Sequence, residues 1–142
     1  MYSQEEIFDI LNAIPSVVAA SQHEIESVEQ ALGVEFPPPY RQLMQIAGRN
    51  LPSGSCLFPL RTLVQQRVEN LAEAEADGIS IPDSDKSIFF DEVDCYECYF
   101  FVADGCDDPM VHSYNFNYCC VEPKSMKLSE FLAFRLAKAL GI

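Results

Sequence analysis

A chain of 142 residues, 49% hydrophobic and 22% charged, has the size of one ordinary domain, able to bury ~70% of its unfolded surface without disulfides or metals. That balance excludes a disordered chain. The net charge of −13 argues against nucleic acid and anionic lipid as partners, because like charge repels phosphate; it is compatible with a basic protein partner and also with acid that simply keeps a hydrophobic domain in solution.

Residues 1–20 carry Glu5, Glu6 and Asp9 instead of a basic leader, and their apolar run is broken by Pro15 and Ser16. No signal peptide or spanning helix is expected there, which predicts a cytoplasmic protein whose six cysteines stay reduced. A first helix is predicted after Ser3, with an S-x-x-E box to Glu6, burying Ile7, Ile10, Leu11 and Ile14 until Pro15 ends it. Ser21 and Glu24 form a second such box. Ile25, Val28 and Leu32 then recur at helical spacing, and Gly33 stands where a left-handed terminating residue is wanted. Pro37, Pro38 and Pro39 force an extended approach and preset the first turn of another helix, with Tyr40, Leu43, Met44 and Ala47 as its apolar stripe and a stop near Gly48.

Residues 51–55 read as a loop and residues 56–58 as a brief strand. Residues 61–75 read as a helix with Leu60, Val64, Val68 and Leu71 inward and Gly78 just past its end. Residues 87–103 are rich in Phe, Tyr, Val and Ile, and Asp104-Gly105 signals a turn before a strand near 110–114. Strand alternation puts Glu97, Tyr99 and Phe101 on one face and Cys98, Phe100 and Val102 on the other, so both faces need cover. Residues 118–121 suggest a last short strand, and 128–140 a closing helix with Leu128, Phe131, Leu132, Leu136 and Leu140 inward. The fold class is therefore α+β, helices packed on a twisted antiparallel sheet, in a single domain over residues 1–142.

Signals for chemistry are thin. Cys95-x-x-Cys98 has half of a zinc spacing, with Cys106, His112, Cys119 and Cys120 as possible complements, but residues three apart on a strand point to opposite faces, so the cysteines read as small buried apolar groups. Cys106 with His112 invites a nucleophile-and-base reading that lacks an orienting third group. The clustered carboxylates match no calcium loop, and no phosphate loop, dinucleotide fingerprint or nucleophile elbow occurs. No enzyme, metal or cofactor is expected. Surface recognition remains: residues 69–108 hold thirteen acidic side chains against one basic, Lys86, interleaved with Tyr96 and followed by Tyr114 and Tyr118. Carboxylates steer a basic partner and aromatic rings anchor it.

The run Leu32-Gly33-Val34-Glu35-Phe36-Pro37-Pro38-Pro39-Tyr40, with a helix on either side, resembles the N-terminal signature of the SUKH superfamily, which includes bacterial immunity proteins and fungal regulators of cell-wall synthesis. The likeness continues through the aromatic strands at 87–101, Asp108-Pro109-Met110-Val111 and Leu128-Ser129-Glu130-Phe131-Leu132, although this chain has no Trp and carries Cys119-Cys120 in its strand region. The resemblance implies a non-catalytic protein-binding domain, most often an immunity protein that neutralises a toxin. Because nuclease toxins are basic, Asp91, Glu92, Asp94, Tyr96, Glu97, Asp104, Asp107 and Asp108 are the expected contact residues. An intracellular scaffold or regulatory module without a toxin partner is the alternative that the same resemblance allows.

Overall fold

Helix boundaries follow local signals. In the computed structural model, which describes residues 2–142, α1 (Gln4–Asn12) begins where Ser3 Oγ accepts the Glu6 N–H. α2 (Gln22–Leu32) opens on a complete capping box, Ser21 Oγ accepting from the Glu24 N–H and the Glu24 carboxylate accepting from the Ser21 N–H. Gly33 ends it at φ 70°, a conformation that a Cβ would strain. α3 (Pro38–Ala47) has prolines in its first turn, where no N–H is missed. A 3-10 turn, Leu60–Thr62, leads into α4 (Leu63–Ala76).

Four strands follow in simple sequence: β1 (Ser87–Val93), β2 (Glu97–Val102), β3 (Met110–Asn115) and β4 (Cys120–Lys127), each antiparallel to the next in the order β1-β2-β3-β4. The closing helix α5 (Leu128–Leu140) lies back over them. The architecture is the α+β class expected. No helix among the described residues is long and apolar enough to cross a membrane.

The sheet separates two cores. On one face Ile88, Phe90, Tyr99, Phe101 and Val111 pack with α1, α2, α3 and α5; on the other Phe89, Cys98, Phe100 and Tyr114 pack with Ala74 and Ile81. This division follows the strand alternation predicted for residues 97–102. α4 passes from one core to the other, starting with Leu63 in the first and ending with Ala74 in the second. Midway along it Arg67 ties three elements, donating to the carbonyls of Leu32 and Ser87. Residues 56–58 cover the outer edge of β1, Phe58 N–H donating to Phe90 O at 2.9 Å. The outer edge of β4 is open and carries Glu122, Pro123, Lys124 and Lys127.

Three expectations are corrected. In α1 the inward residue beside Ile7 and Leu11 is Phe8, and Ile10 is exposed. In α4, Val64 and Val68 face solvent and Leu63, Asn70 and Ala74 face inward, because the 3-10 turn holds three residues per turn and shifts the phase inherited from Leu60. The last strand runs over 120–127, not 118–121, and Tyr118 sits in the turn before it.

Candidate functional site

The proline corner forms scaffold. Tyr40 is fully buried and meets Phe36, Phe90 and Phe101 edge-on at centroid distances of 5.1, 6.0 and 5.2 Å. Such aromatic contacts add to area burial by about 0.5–1.5 kcal/mol each. The buried carboxylate of Glu29 locks the corner, accepting from the Phe36 N–H at 2.6 Å and from Arg41 Nη2 at 2.5 Å. The run 32–40 that carries the family resemblance is thus spent on joining α2 to α3.

Asp91, expected on the contact surface, is instead 0% exposed. β1 bulges at this point: Phe89 pairs with Phe100, but Asp91 pairs with Tyr99, leaving Phe90 as an extra residue. The bulge reverses the alternation, so Phe90 and Asp91 both point into the helix-covered face. There Asp91 Oδ2 accepts from Arg135 Nε of α5 at 2.6 Å, and the guanidinium lies over the rings of Tyr99 and Phe131. Burial pushes the Asp91 carboxyl above its ordinary range, and Arg135 opposes that shift. Asp91 Oδ1 and the Tyr40 hydroxyl are buried without a protein hydrogen-bond partner, and burial together with the Asp91 charge raises the Tyr40 phenol.

The remaining expected residues fall at two ends of the sheet. Glu92, Asp94, Tyr96 and Glu97 surround the β1–β2 turn, whereas Asp104, Asp107 and Asp108 occupy the β2–β3 loop. At ~3.3 Å per residue, the six-residue β2 holds these ends roughly 17 Å apart. Two of these carboxylates have structural work. Asp108 accepts from Ser129 N–H at 2.9 Å and Ser129 Oγ at 2.6 Å, capping the first turn of α5. Glu97 is half-buried, accepts from the Tyr99 hydroxyl and lies 3.9 Å from Lys124. Asp94, Tyr96, Asp104 and Asp107 are exposed, and Glu92 is half-buried.

One end also carries exposed aromatic groups. The β1–β2 and β3–β4 turns are joined there, Phe116 N–H donating to Tyr96 O at 2.7 Å. Asn115 Oδ1 accepts from the N–H groups of Asn117 and Tyr118, and the resulting turn holds Tyr118 out with 80% of its surface exposed. Tyr96, in the β1–β2 turn, is 36% exposed, while Tyr114 is buried with its hydroxyl donating to Asp77. Tyr118 was expected as an aromatic anchor near the carboxylates but not as one of the contact set at 91–108. The signal was the Asn-x-Asn turn chemistry, which lifts the ring out of the strand to which alternation had assigned it.

The thiols and imidazole do not converge, and the expectation of buried cysteines holds for Cys98 alone, since Cys95, Cys106 and Cys119 lie in turns and loops and are exposed and Cys56 and Cys120 are half-buried. Cys95 is exposed in a turn with φ 58°, whereas Cys98 is buried and its thiol is pushed up to about 12 by burial and then by the Glu92 charge. His112 stacks on Phe100 at 5.2 Å, and the Cys106 N–H donates to Asp104 Oδ1. Among the described residues, no three His, Cys, Asp or Glu side chains are grouped to hold a metal ion. In comparison with known proteins, the family model described as the SMI1 / KNR4 family (SUKH-1) matches residues 19–133. No curated protein matches the chain.

Proposed function

The chain belongs to the SMI1 / KNR4 (SUKH-1) family, and on that premise we propose that it is a non-catalytic, cytoplasmic immunity protein that occludes a basic toxin domain. The observation that carries this reading is the sheet end where exposed Tyr96 and Tyr118 stand among Glu92, Asp94 and Glu97 on a chain of net charge −13. Carboxylates there attract a cationic surface, and the rings supply anchors that gain most when desolvated. Asp104 and Asp107, at the far end, add to the long-range field but have no exposed aromatic neighbour among the residues of their loop.

Affinity capture from the native cells at low salt, followed by mass spectrometry, tests the reading. Stoichiometric recovery of a basic toxin-like domain is the expected result. Recovery of signalling or housekeeping proteins alone would replace the immunity reading with that of a regulatory module.

A further inference from the structure

On the opposite sign of charge, the helical side of the molecule presents a notch of about 440 Å³ lined by His23, Glu24, Val28, Arg49, Leu60 and Arg61. Its charges are arranged unequally. Glu24 is fully engaged: Arg49 grips both of its oxygens, Nε at 2.8 and 3.0 Å, and the Ser21 N–H donates to it as well. Arg61 donates to the Arg49 carbonyl at 3.0 Å and is ion-paired with no carboxylate among the described residues. Of the two exposed arginines, Arg49 is held by Glu24 and Arg61 by no acid. The floor is apolar, from Val28 and buried Leu60. From Leu60 and Arg61 the chain runs straight into α4, whose outer face carries Val64 and Val68, 38% and 57% exposed.

We propose that this notch and the Val64–Val68 strip bind an acidic peptide segment of a partner protein, its carboxylate on Arg61 and its apolar side chains on Val28, Val64 and Val68. A guanidinium donates two parallel hydrogen bonds to a carboxylate, and Arg61 has that donor capacity free. A free phosphate would use the arginine and leave the strip uncovered. A nucleic acid would meet the repulsion of the whole chain over many phosphates. A short peptide presents few charges: Glu24 is already neutralised by Arg49, Glu69 beside Val68 accepts from Gln65, and at ~0.15 M salt the field of carboxylates farther away is screened within ~8 Å. This site is separate from the sheet end assigned to the toxin, so either reading can fail without the other.

The test is an amide-resonance titration of the ¹⁵N-labelled protein at that salt with a synthetic peptide of Glu and Leu, beside its Lys and Leu counterpart and inorganic phosphate. Saturable shifts at Ser27, Gly48, Arg61 and Val64, with affinity reduced at least about tenfold by Arg61→Gln and several-fold by Val64→Ser, are expected. Both residues are exposed, so the variants should keep the dispersed spectrum of the parent. The proposal is overturned if the Glu peptide gives no saturable shift, if Arg61→Gln binds it equally, if the Lys peptide shifts the same residues as strongly, or if phosphate alone matches its affinity.

Discussion

Two ion pairs of this protein respond differently to environment. Glu24 and Arg49 are at the surface, and Arg49 together with the Ser21 N–H holds the Glu24 carboxyl down at about 2. A depressed folded value means that its contribution is present above the ordinary carboxylate range and is lost as pH falls toward 2. We predict that Glu24 titrates near there by NMR and that Arg49→Gln returns it toward the ordinary range. Asp91 and Arg135 are buried, and the sign reverses: burial raises the Asp91 carboxyl, so the folded state holds its proton more readily than the unfolded chain. Removing the cation leaves that charge unpaired. Arg135→Gln should therefore cost about 3–5 kcal/mol in urea unfolding near neutral pH. The loss should shrink as pH falls through the raised value, where Asp91 takes up a proton; a cost independent of pH would show that the guanidinium acts through packing alone.

Elements were legible where their signals were local. The Ser21–Glu24 box, Gly33 and the three prolines each act within one turn, and α2 and α3 begin and end where those residues require. The inward face of α4 and the burial of Asp91 were not legible, because a 3-10 turn and a bulge each move the phase of everything after them and leave no mark in hydrophobic periodicity. β4 was read short because an edge strand with one open side carries Glu122, Pro123 and Lys124, which resemble loop residues. Connections between elements give two stability predictions by thermal or urea denaturation. Asp108→Ala removes the cap that the β2–β3 loop lends to α5 and should cost ~1 kcal/mol. Gly48 has ordinary backbone angles, yet a Cβ there would stand 2.6 Å from Met44 O and 2.8 Å from Ala20 Cβ, so Gly48→Ala should cost about 1–3 kcal/mol through overpacking.

Across the whole molecule, the class of fold was readable from the sequence, but whether the carboxylates of residues 91–108 share one surface was not, since neighbours along a meander alternate between opposite ends of a sheet. The two ends can be separated kinetically once a basic partner is in hand. Asp94→Asn with Tyr118→Ala should slow association, flatten its dependence on salt and speed dissociation, whereas Asp104→Asn with Asp107→Asn should alter only the salt dependence. Equal effects on dissociation would place the contact at both ends. The open border of β4 bears on a different property. A strand that lacks one amide hydrogen at Pro123 and carries Glu122, Lys124 and Lys127 is a poor template for a neighbour's backbone, which disfavours stacking of native molecules into a ribbon along that border. Turbidity on heating should accordingly rise with the loss of native signal and never ahead of it, marking the melted chain as the species that clumps.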